Sequence, residues 1–225
     1  MKSTAAQTFS NYIHGKLVTD QAMGYYIRIL GTKDPNISVN EISAAIKKQK
    51  LKANLAIEHA EDSENWSVLS ISNGHGTDLG QVERNPVIEG ELGKDELEEF
   101  REAIAECKPQ SAAQWLRQYF DKIKVIYAFQ LLNSAFEDKN YTIVSTVRDI
   151  IFNKTDGILQ ADGEGFSNEE GYHILWQFSD KVTGHWHCAV LNEANEWERF
   201  KMDLGDIGQR REFWAGKVPS SASRL

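Results

Sequence analysis

The stretch His185-Trp186-His187 has the residue types and spacing best suited to chemistry in this chain. Alternate residues of an extended strand share a face, so both imidazoles project together, about 6 to 7 Å apart along the chain. Metal sites use such a pair, but they need further ligands. Alternation in the flanking segments sets Gln177 and Lys201 beside His187, and Ser179 and Asp203 beside His185. Lys201 would repel a divalent cation. His173 falls opposite Leu191, roughly 13 Å from His187. Only Asp203 is well placed, and a third ligand would have to come from His59, His75 or a carboxylate. The expectation is therefore no metal and no cofactor. His185, His187, Gln177, Lys201 and Asp203 would form a polar ligand-binding face, with His75 contributed by a separate loop.

A second constellation is Asp162-Gly163-Glu164-Gly165. Two carboxylates two residues apart can act as acid and base, or as oxygen ligands. The segment fails the EF-hand pattern, because Phe166 and Ser167 stand where an acid or amide and then a glycine belong. Its glycines suggest a bend between strands, with the acids keeping a strand edge soluble. Ser72-Asn73-Gly74-His75 holds a serine and a histidine, but there is no G-x-S-x-G elbow, and the segment reads as a Gly-rich turn. Cys107 and Cys188 are far apart, no CxxC occurs, and Cys188 falls among apolar residues. Walker-type and G-x-G-x-x-G phosphate loops are absent.

The elements that must position these groups follow from periodicity. Ile174, Trp176 and Phe178 alternate with polar residues, as do Trp186, Cys188 and Val190, so two strands are expected. A three-residue loop, Lys181-Val182-Thr183, before Gly184 would make them a hairpin, with Phe178 facing Trp186 and Trp176 facing Cys188. A second three-residue loop, Glu193-Ala194-Asn195, sets Cys188 opposite Phe200 and Trp186 opposite Met202. The resulting apolar face needs a covering layer. Its reverse carries the histidines, with Leu175, Ala189, Leu191 and Trp197 at the far end.

Upstream, Phe9, Tyr12 and Ile13, then Ala22, Tyr25, Tyr26 and Ile29, have helical spacing, and Ser38 or Asn40 can cap a helix carrying Ile42, Ala45 and Ile46. Its end, Lys47-Lys48-Gln49-Lys50, places cations at the negative terminus. Strands are expected at 55–59, 66–71, 79–83 and 124–132, with helices at 95–106, about 110–123 and 141–152. The fold class is α+β: N-terminal helices and a mostly antiparallel sheet, ending in a C-terminal β-meander packed on helices. The boundary falls in the stretch Asn85–Gly93, giving regions 1–92 and 93–225 that can pack as one unit.

The net charge of −8 argues against sequence-independent nucleic-acid binding and against an anionic membrane surface. No run approaches the roughly 20 apolar residues of a membrane span, so a cytoplasmic protein is expected. Ser223-Arg224-Leu225 only loosely matches a peroxisomal address. Val218 to Leu225 has little apolar surface and is expected to add little stability. The function expected is a non-catalytic binding or interaction module for a protein or small molecule. The alternative is a metal-dependent or carboxylate acid/base hydrolase.

Overall fold

The computed structural model describes residues 25–58 and 62–225. Within them the chain is mixed α/β, with mostly antiparallel strands. The helical stripe at Phe9 to Ile13 lies outside the described residues, as does His59. The chain divides into two compact units that interleave in sequence. One takes the described residues up to Lys94 and then Ile123–Gly157; the other takes Asp95–Lys122 and Ile158–Leu225.

The first unit holds β1 (Tyr25–Gly31), α1 (Val39–Lys48), β2 (Ala53–Ile57), β3 (Val68–Asn73), β4 (Asp78–Pro86), β5 (Val125–Leu131) and α4 (Asp138–Thr155). Its strands run antiparallel in the order β1-β5-β4-β3-β2. The segment with Tyr25, Tyr26 and Ile29 is a strand and not the helix its spacing suggests. Tyr-Tyr-Ile-Arg-Ile-Leu is rich in aromatic and β-branched residues, and pairing with the buried β5 overrides a spacing that fits both periods. Helix α1 starts where Ser38 accepts a hydrogen bond from the Asn40 amide, and it ends in Lys47 and Lys48. It packs on α4 and β2, and α4 packs on β1 and β3. Trp66 anchors this core, its indole N–H donating to the Ile37 carbonyl at 2.7 Å.

The second unit holds most of α2 (Leu92–Ala103) and of β6 (Gly157–Ala161), together with α3 (Gln110–Phe120), β7 (Gly165–Ser167), β8 (His173–Trp176), β9 (His185–Leu191), β10 (Trp197–Asp203), α5 (Ile207–Trp214) and β11 (Ser223–Arg224). Its strands follow the order β6-β7-β8-β9-β10-β11. The β9–β10 register has Trp186 opposite Met202, Cys188 opposite Phe200 and His187 opposite Lys201. The loop between them turns on Asn195, at φ +59°, while the Asn192 carboxamide accepts the amides of Ala194 and Glu196 at 2.9 Å.

Strand β8 corrects the expected hairpin. It runs parallel to β9, with His173 beside Cys188, and pairs antiparallel with β7. Eight residues, Gln177 to Gly184, make the crossover, fewer than the dozen or so usual for parallel strands. Side-chain bonds from Arg210 of α5 hold it: the buried guanidinium donates to the Asp180 carbonyl at 2.8 Å, to Val182 at 2.6 Å and to Leu204, and lies over Trp176. Phe178 still reaches Trp186, ring to ring at 5.3 Å, but from the crossover and not from an opposing strand. All four residues of β8 are buried, so His173 is in the core and not on the polar face.

The C-terminal residues correct a second expectation. Ser223 and Arg224 pair with Lys201 and Phe200, and the Leu225 amide donates to the Arg199 carbonyl at 3.1 Å. Ser220 bonds Glu212 through its amide and hydroxyl, and Pro219 is buried. Backbone pairing, which asks for no apolar side chains, docks a tail that composition marks as free.

Candidate functional site

The site begins with the parity of β9 and β10. Trp186, Cys188, Val190, Phe200 and Met202 point inward and are buried. Phe213 of α5 covers this side, touching the rings of Phe200, Trp176 and His173. On the opposite side, Trp115 of α3 packs on Trp197 at 5.1 Å and stacks on Tyr119 at 4.7 Å. Trp197 and Phe200 lie three apart on one strand and so on opposite faces. The two helices therefore cover opposite faces, and α3 takes the apolar end of the outer one. Among the described residues, its polar end remains uncovered.

At that end His185 and Lys201 are exposed, and His187 and Asp203 are half-buried. The cross-strand pairs are His185 with Asp203 and His187 with Lys201. Partial burial, then the adjacent Lys201 ammonium, lower the His187 pKa below the ordinary imidazole value. The Asp203 carboxylate is engaged in the turn after β10, where it accepts the Gly205 amide at 2.8 Å.

Residues with no counterpart in the sequence reading extend the patch. The Tyr172 ring lies 6.3 Å from His187, and the Arg199 guanidinium sits 5.7 Å from the Tyr172 centroid. Arg199 also makes a two-point bond to Glu170, both contacts at 2.6 Å. Arg199 shares the parity of Lys201, a signal present in the sequence. Tyr172 and Glu170 are placed by the buried Asn168, whose carboxamide oxygen accepts the amides of Glu170 at 3.1 Å and Tyr172 at 2.9 Å.

Gln177 does not belong beside His187. Its amide N–H donates to the Glu164 carbonyl at 2.9 Å, and its side chain reaches the Cys107 thiol at 3.7 Å. The antiparallel hairpin that would set it opposite His187 does not form, because β8 is parallel to β9. Asp162 and Glu164 occupy the β6–β7 turn, in which Gly163 has φ +68° and Ala161 pairs with Gly165. Asp162 is exposed and Glu164 is buried, so the two carboxylates meet different environments.

His75 lies in the first unit, exposed on the β3–β4 turn. Asn73 organises that turn: its side-chain oxygen accepts the amides of His75 and Thr77, each at 3.0 Å, and its NH2 donates to Asn140. Ser72 pairs within the sheet.

The buried His173 ring is held neutral, its pKa lowered to about 3 by desolvation, and packs 4.8 Å from Phe178. Burial pushes the Cys188 thiol well up. The Cys107 thiol donates to the Ala103 carbonyl at 3.3 Å. Among the described residues no three His, Cys, Asp or Glu side chains gather as a metal-ligand group. A scan against protein-family models finds no match, and searches of curated proteins and of solved structures return none either.

Proposed function

We propose that this chain is a non-catalytic binding module whose partner lies on the polar end of the outer β9–β10 face. The observation that carries this reading is the division of labour across one strand pair. The inward residues are committed to the core, and α3 covers the apolar end of the other face. His185, His187 and Lys201 are left reaching solvent beside the aromatic Tyr172. Imidazole, ammonium and phenol together suit a protein surface or small molecule that offers both acceptors and a flat apolar group. The net charge of −8 favours such a partner over nucleic acid or an anionic membrane, and a cytoplasmic setting goes with it.

The test pairs two measurements. Wild type and the His187→Ala/Lys201→Glu double variant are each immobilised, and the proteins and metabolites they retain are quantified by mass spectrometry. A partner retained by wild type and lost by the variant is the expected result; identical retention overturns the reading. Metal analysis of the purified protein tests the rival. Near-stoichiometric zinc, iron or manganese, lost in His185→Ala, would promote a metal-dependent hydrolase in its place.

A further inference from the structure

A different surface belongs to the first unit. Among the described strands, β2 is an edge of its sheet. The Glu58 amide donates to the Val68 carbonyl of β3. Antiparallel ladders alternate every second residue, so Asn54, Ala56 and Glu58 direct their backbone groups to β3. Ala53, Leu55 and Ile57 then direct their N–H and C=O groups away from the sheet. Beside this edge is a groove of about 460 Å³. One wall is Ser43, Ile46 and Lys47 of α1, the other is Ala53 to Leu55 of β2, and Lys52 and Gly74 close one end.

The chemistry of the groove is one-sided. Lys47 and Lys52 line it, with no acid among the lining residues, and Lys48 and Lys50 are exposed next to it. The nearby acid Glu41 is paired with Lys154 at 2.9 Å. This cationic cluster stands out on a chain of net charge −8. Ile46 and Leu51 supply an apolar floor.

We propose that β2 receives an extended acidic peptide segment of a partner protein as an added strand. The peptide's main chain pairs with Ala53, Leu55 and Ile57. Its alternate side chains enter the groove between β2 and α1, where carboxylates meet Lys47 and Lys52. Strand addition takes affinity from main-chain bonds and specificity from pockets for alternate side chains. The cations steer encounter and set the sign of the partner.

The probe is a fluorescein-labelled, end-blocked peptide of alternating glutamate and valine, titrated into the full chain and followed by anisotropy. Three comparisons accompany it: a lysine–valine peptide, the glutamate–valine peptide N-methylated at alternate amides, and the Lys47→Glu/Lys52→Glu variant. Saturable binding is expected for the acidic peptide alone, weakened about tenfold or more by the charge-reversed variant and by added salt. N-methylation on the pairing edge is expected to abolish binding, a result that depends on no variant folding. Amide shifts in NMR spectra should centre on Ala53, Leu55 and Ile57. Equal affinity for both peptides, indifference to N-methylation, or shifts confined to other strands would overturn the proposal.

Discussion

Trp186 faces Met202 across β9 and β10, and the next pair along, His187 with Lys201, faces the other way. Both members of the first pair are buried, and the second pair reaches solvent. Trp186→Ala is therefore expected to open a large cavity and cost about 3–5 kcal/mol. His187→Ala should cost under about 1 kcal/mol. Denaturant unfolding of both variants under identical conditions makes the comparison. A larger loss for His187→Ala would mean that the outer face carries the core.

His187 titration gives a second check. Burial and Lys201 both hold its pKa down, with burial the larger cause. Lys201→Met should raise it part of the way toward the ordinary value, leaving the burial contribution in place. Imidazole resonances followed by NMR across pH 4 to 9 measure the change. No movement would mean that the ammonium is not beside the ring.

His173 predicts how stability responds to acid. Its folded pKa, about 3, lies below the ordinary 6.5. Between those values the unfolded chain binds the proton and the folded chain does not. The contribution is thus complete above about pH 6.5 and lost as pH falls toward 3, with a slope of up to about 1.4 kcal/mol per pH unit. Its Nε2 is buried with no hydrogen-bond partner among the described residues, so His173→Phe should remove that slope and hold or improve stability at pH 7. Unfolding free energies of both proteins from pH 4 to 7 settle the matter, since carboxylate contributions cancel in the difference.

Removing residues 218–225 should lower the melting temperature by several degrees. The loss includes the β11 ladder, the Ser220–Glu212 bonds and the Arg224–Glu198 ion pair at 3.0 Å. It also bares the edge of β10, which should raise the tendency to associate. Calorimetry and light scattering report the two effects. An unchanged melting temperature would show that the tail is only loosely held.

Arg210→Met should cost about 3 kcal/mol, because the buried Leu204 and Val182 carbonyls and the part-buried Asp180 carbonyl lose their donor at once. Arg210→Lys should recover little, as a single ammonium does not reproduce the planar fork. Chemical denaturation of both variants is the measurement.

The sequence made the β9–β10 pairing legible because two constraints agreed there: one apolar set per strand, and a three-residue loop ending in an asparagine able to take positive φ. The partner of β8 was not legible. Ile174, Trp176 and Phe178 alternate as a hairpin strand would, and nothing in that pattern reveals that Arg210, some thirty positions on, holds a parallel crossover instead. Residues 25–31 fit helical and strand spacing alike, and only pairing with β5 decides between them. His185, His187, Lys201 and Asp203 do meet on one face, because a single ladder fixes all four. Gln177 was lost with the hairpin, and Tyr172 and Glu170 entered through the Asn168 turn. The edge of β2 was hidden because strand order is a property of the whole sheet and not of any one segment.

The reach of Arg210 also bears on how the second unit is made. The carbonyls of Asp180 and Val182 are 30 and 28 positions upstream of the guanidinium that satisfies them. Arg210 thus ties the β8–β9 crossover to a helix that follows both strands in the sequence, so the parallel pairing draws on a side chain from outside the pair.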